Sequence, residues 1–109
     1  MKIAETPKAP YYAVIFTSVK DTTKSEEDYA EQVKLMRDLA EKQSGFLGFE
    51  TAESELEISI SYWEDVNSIM AWKMNTDHLE SQKKGKNSFY DSYKVRIAQV
   101  QRDYDFSKK

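Results

Sequence analysis

The stretch that decides the fold is FLGFETAESELEISISYW, Phe46–Trp63. Phe46–Ala52 and Leu56–Trp63 are rich in aromatic and β-branched side chains, and the polar Glu53–Glu55 lies between them as a turn. In the second run Leu56, Ile58, Ile60 and Tyr62 alternate with Glu57, Ser59, Ser61 and Trp63, the period of two that a strand requires. The apolar run is expected to face inward, which leaves Trp63 toward a cleft or an interface. So short a connection joins antiparallel neighbours, and the stretch predicts a β-hairpin.

Working outward toward the N-terminus, Gly45 is placed to end a helix. Before it, Tyr29, Val33, Met36 and Ala40 recur at helical spacing, flanked by Leu35 and Leu39. Ser25 and Asp28 have the spacing of a capping box, and Glu26, Glu27 and Asp28 bring negative charge to the first turn. Tyr11–Val19, YYAVIFTSV, reads as a strand whose two faces are both apolar at first.

Toward the C-terminus, Asp65 can cap a brief helix in which Val66, Ile69 and Met70 share a face. A second helical stretch is expected after Asn75, through about Lys84, with Gly85 ending it. The last strand is expected over Phe89–Tyr104. It sets Tyr93, Val95 and Ile97 on one face and Ala98 and Val100 on the other. Residues 1–10 read as a flexible tail that Pro7 and Pro10 hold out of helix. Residues 11–104 form the domain, and 105–109 a frayed end.

The element order is therefore βαββαβ, the α+β, ferredoxin-like arrangement of one antiparallel sheet with two helices on one face. Phe16, Phe49 or Leu47, and Ala98 with Val100 are left for the other face. An apolar face without helices must be buried against something, and sheet-on-sheet homodimerisation is the simplest cover.

Composition narrows the function. The chain has 109 residues, enough for one domain, and its 39% hydrophobic content with many aromatics excludes general disorder. Sixteen basic against nineteen acidic residues give a net charge of −3, so no nucleic-acid partner and no membrane-surface partner is expected. The absence of cysteine excludes disulfides, thiolate metal sites and thiol nucleophiles. No apolar run reaches membrane-spanning length, and Met1–Pro10 lacks the apolar core of a secretory signal, so a cytoplasmic location is expected. GFLG at Gly45–Gly48 is not a dinucleotide fingerprint, and no phosphate-binding loop occurs. The lysines 83, 84 and 86 read as a solvated helix end.

Several pieces together carry a family resemblance: Tyr62–Trp63, Ala71–Lys73, His78, SQKKGK at 81–86, Phe89–Tyr90 and KVRIAQV at 94–100. YYAVIFTS near the start and GFLGFE in the middle complete the pattern, which spans about Tyr11–Tyr104. This resembles the antibiotic biosynthesis monooxygenase (ABM) domain family, in particular its small single-domain bacterial members. The resemblance implies a dimeric α+β barrel, with a cleft between sheet and helices in each subunit. Some relatives oxygenate aromatic substrates with O2 and neither metal nor flavin; others degrade haem. The haem-degrading pattern is not met: Gln82 stands where its histidine should follow Trp72 by ten residues, and residues 11–20 hold no asparagine.

His78, the sole histidine, is the candidate general base, placed near the start of the second helical stretch where the dipole favours a neutral ring. A capping or surface histidine is the plainer reading. Trp63 and Trp72 are candidate walls for a flat ring, or the closure of a small core. Tyr62, Phe89 and Tyr93 are candidate pocket residues, with core or interface as the alternative. Arg96, a cation in an apolar strand, calls for a carboxylate or an anionic substrate. The expected function is a cofactor-independent monooxygenase or oxidoreductase acting on a small aromatic phenol or quinol. The alternative is a non-catalytic homodimer that binds a small ligand.

Overall fold

The computed structural model describes residues 2–83 and 89–108, with 78–83 described as backbone. The expected order is observed: β1 (Tyr11–Lys20), α1 (Glu26–Glu41), β2 (Phe46–Ala52), β3 (Glu57–Trp63), α2 (Val66–Lys83) and β4 (Tyr90–Val100). The four strands form one antiparallel sheet in the order β2-β3-β1-β4.

Local chemistry sets the element ends. Ser25 has extended backbone and its Oγ accepts the Asp28 N–H at 3.2 Å, which starts α1. Asp65 Oδ1 accepts the Ser68 N–H at 2.8 Å and starts α2. Gly45 has φ +90, and an added Cβ there would sit 2.2 Å from Ser68 Oγ. Glycine is required at this turn by both conformation and space. In exchange, the Gly45 carbonyl accepts the Glu64 N–H at 2.8 Å, tying the start of β2 to the end of β3.

Two expectations about elements are corrected. The brief helix and the later stretch after Asn75 are one continuous α2. Asn75 is a weak helix former but no breaker, and two bonds span the expected gap: Lys73 Nζ to Asp77 Oδ1 at 2.8 Å, and Thr76 Oγ1 to the Lys73 carbonyl at 2.9 Å. The last strand is shorter than expected, since Phe89 lies in a turn and the chain leaves the sheet after Val100. The ending assigned to Gly85 and the lysines 84 and 86 lie outside the described residues.

The expected dimeric α+β barrel is also corrected. The sheet is open: β2 and β4 are its two edges and do not pair with each other, so the strands do not close. Phe16, Phe49 and Val100 do not share the uncovered face either. Phe16 and Phe49 line the space under the helices, whereas Val100 lies opposite, beside Tyr11. Likewise Trp63, with Ser61, Ser59 and Glu57, is on the helix side of β3. The run Ile58, Ile60 and Tyr62, expected inward, faces away.

The core sits at one end of the helix–sheet space. Val14, Ala40, Trp63 and Ile69 are buried together, with Tyr12, Phe46 and Trp72 packed against them. On the opposite face the N-terminal segment lies along the sheet: the Ala4 N–H donates to Glu50 Oε2 at 2.8 Å, and Thr6 Oγ1 to the Tyr11 hydroxyl at 3.0 Å. Tyr11 donates in turn to Asp103, so both chain ends are tied to one side chain. No helix of the described residues is long and apolar enough to cross a membrane.

Candidate functional site: a cleft between sheet and helices

α1 and α2 pack together at the Trp63 end, where Ala40 and Ile69 meet it, and leave part of the sheet face between them open. A cleft of about 320 Å³ opens there, a volume within the range of small-molecule sites. Its floor comes from all four strands, including Phe16, Phe49 and the row Tyr93, Val95 and Ile97. Val33 and Met36 of α1 and Met70 and Trp72 of α2 form its sides. The β4 row stays 43–51% exposed, although its residues point toward the helices. Apolar groups so placed are available to an apolar ligand.

The two ends differ in chemistry. At the core end Trp63 is fully buried and stacks on Trp72, with ring centroids 5.2 Å apart and planes 30° apart. Trp63 Nε1 donates to Ser61 Oγ at 2.8 Å, and Trp72 Nε1 lies 3.4 Å from the Met36 carbonyl. Both indoles therefore have their donors engaged. At the far end Ser18 pairs with Glu57 on one side and Tyr93 on the other, a row across three strands. Six residue steps along β3 separate this row from Trp63, about 20 Å at a strand's rise.

That far end is aromatic around a carboxyl group. Phe16 stacks on Tyr93 at 5.3 Å and meets Tyr90 edge-on at 5.3 Å, and Tyr29 of α1 meets Tyr90 at 5.8 Å. The Tyr29 hydroxyl donates to Glu57 Oε1, and the Ser18 hydroxyl approaches the same oxygen at 3.4 Å. Burial, and then the bond to Glu57, push the Tyr29 phenol well above its ordinary value. It stays protonated and remains a donor at any physiological pH.

The residues singled out by sequence are dispersed. Trp72 and Tyr93 line the cleft. Trp63 belongs to the core behind it, and Phe89 lies in the turn before β4, its ring centroid 6.5 Å from that of Tyr29. Tyr62 is on the other face of the sheet, where its hydroxyl donates to Glu50 Oε1 at 2.7 Å; burial and that bond raise its pKa. Arg96 pairs with Ile15 on the same outer face and is exposed, so water meets its charge. The backbone of His78 falls in the second half of α2, not near a helix start; its side chain lies outside the described residues.

Sequence reasoning missed Glu57, Ser18 and Tyr29. Glu57 read as a polar position opposite the inward run of its strand, Ser18 drew no reading of its own, and Tyr29 read as one member of a helix stripe. The available signal was Trp63, the largest side chain of its strand, which shares a face with Glu57 at period two. Among the described residues no group of three or more His, Asp or Glu side chains is placed to hold a metal ion.

No family model matches the chain. A protein of Bacillus subtilis, the uncharacterized YqjZ, is 39% identical over 108 residues, which cover 97% of this chain and 93% of that protein. Jasmonate monooxygenase ABM of Pyricularia oryzae is 33% identical over 43 residues, 39% of this chain and 20% of that protein. Among solved structures, a variant of SnoaB, a cofactor-independent oxygenase from Streptomyces nogalater, superposes with a TM-score of 0.71 at 8% identity. The match covers 87% of this chain and 97% of that one. The chain belongs to the family of the Bacillus subtilis protein and has the fold of the cofactor-independent oxygenase SnoaB.

Proposed function

We propose that this protein is a cofactor-independent monooxygenase that oxidises a small aromatic phenol or quinol bound in the cleft. The observation that carries the reading is the cleft itself. It is apolar, aromatic and of small-ligand volume, in the space between sheet and helices. Trp72 and Phe16 offer ring faces for stacking, and Met36 and Met70 adapt to an irregular outline.

The chemistry needs three things from the protein. A base takes the proton of the substrate hydroxyl, and His78 is the proposed base. The resulting phenolate passes an electron to O2, and the radical pair recombines to form a carbon–oxygen bond and a peroxide. The protonated base returns its proton to the peroxide. Loss of the ring C–H proton and cleavage of the O–O bond then give a quinone and one water. A phenol and O2 thus supply all the atoms and electrons, without an external reductant. A dry wall protects the anion and the peroxide from water, a part that falls to Val95, Ile97 and Val33 once a bound ring covers them.

The test is O2 uptake by metal-free protein given a hydroxylated naphthalene, with the quinone followed by absorbance. Uptake that stays with the protein peak on gel filtration and drops by about a hundredfold or more in His78→Ala is expected, the usual scale for a lost acid–base group. Tight binding without uptake would instead favour the non-catalytic ligand-binding reading.

A further inference from the structure

Among the described residues, the chemistry above leaves unused one carboxyl group that is both buried and in the cleft wall. Glu57 is only 8% exposed, and Ser18 beside it 1%. Both of its hydrogen bonds, from Tyr29 and Ser18, go to Oε1; among the described residues Oε2 accepts none. A carboxyl group has about four acceptor positions; no buried side-chain oxygen of the described residues lacks a partner, so Oε2 still reaches water, and a ligand that covers it has to replace that water. Phe16, Tyr90, Tyr93 and Val95 line the same cleft, with Gln32 one helical turn from Tyr29 and Lys20 Nζ over the Tyr29 ring at 4.8 Å. Nothing about stability calls for a carboxyl group there, since a tyrosine and a serine would be satisfied by a neutral amide.

We infer that Glu57, held by Tyr29 and Ser18, accepts a hydrogen bond from a ligand hydroxyl, which makes the cleft selective for uncharged hydroxylated aromatics. This rests on the reading that a small aromatic occupies the cleft, and in a reacting quinol the hydroxyl on Glu57 is the one that keeps its proton. A bare hydrocarbon in that place strips water from Oε2 and offers no proton in return. A ligand carboxylate sets acceptor against acceptor. A hydroxyl supplies the missing proton while its ring meets Phe16 and Tyr93. The two fixed donors on Oε1 restrain the carboxyl group before the ligand arrives, so little is lost in ordering it.

Equilibrium dialysis of the full chain against 2-naphthol, 2-methoxynaphthalene, naphthalene and 2-naphthoate decides the matter. The wild type should bind 2-naphthol at least about tenfold more tightly than either naphthalene or its methyl ether, with 2-naphthoate weakest. In Glu57→Gln the naphthol advantage should fall below about threefold and 2-naphthoate should gain about tenfold, because the amide can donate. Equal wild-type affinities for naphthol and its ether, absence of naphthol binding, or an unchanged order in Glu57→Gln would each overturn the inference. If Glu57→Gln does not fold, the comparison of naphthol with its ether, made on the wild type, still decides. Selective naphthol binding without O2 uptake removes the oxygenase reading and keeps this one; uptake without selectivity does the reverse.

Discussion

At the scale of single residues, the molecule is governed by what Trp63 and Glu57 each do with a buried polar group. Trp63 has zero exposure, an indole donor satisfied by Ser61, and ring contacts to both Phe46 and Trp72. Truncation to alanine removes the largest buried side chain of the core end and leaves a cavity that the open cleft cannot close. Trp63→Ala should cost about 3–5 kcal/mol in urea unfolding. A loss below about 1 kcal/mol would show that the core end does not depend on it. Trp72 is half-buried between core and cleft, so its ring can serve packing and ligand stacking at once.

At the scale of elements, short polar side chains fix where helices begin. The Asp65 carboxylate is held below its ordinary value, first by the backbone N–H of Ser68 and then by that residue's hydroxyl. A depressed folded-state pKa means that stabilisation is fully present above the unfolded value of about 3.9 and is lost as pH falls through the lower, folded one. Thermal melts of wild type and Asp65→Asn should therefore be separated near neutral pH and converge as pH falls below the ordinary carboxyl value. A gap that stays constant with pH would assign the effect to shape and not to charge. Asp21 behaves in the same sense, held down by the hydroxyl and backbone N–H of Thr23 in the turn before α1.

At the scale of the whole molecule, the dominant feature is asymmetry. One face of the sheet carries two helices that meet at one end; the other carries the N-terminal segment and leaves Ile58 38% exposed. A second copy of the chain is the partner proposed for this outer face, since it is apolar and Arg96 and Lys94 border it on β4. Sedimentation at micromolar concentration should return twice the chain mass, shifting toward the monomer in Ile58→Lys. A single monomeric species in the wild type would leave that face to the chain's own ends.

The sequence by itself determined the element order, the α1 stripe, the Ser25 and Asp65 caps and the Gly45 turn, because each depends on side chains a few residues apart. It also carried the family resemblance, since that lies in local motifs. Which face of β3 meets the helices, the continuity of α2 and the openness of the sheet were decided by tertiary structure. A strand that is apolar at one set of alternate positions and carries a tryptophan at the other is compatible with either orientation, and only packing against Ala40 and Ile69 selects one. The grouping of Glu57 with Ser18 and Tyr29 is likewise a product of packing. These residues lie on three elements, and strand register together with the seating of α1 brings them to one oxygen atom.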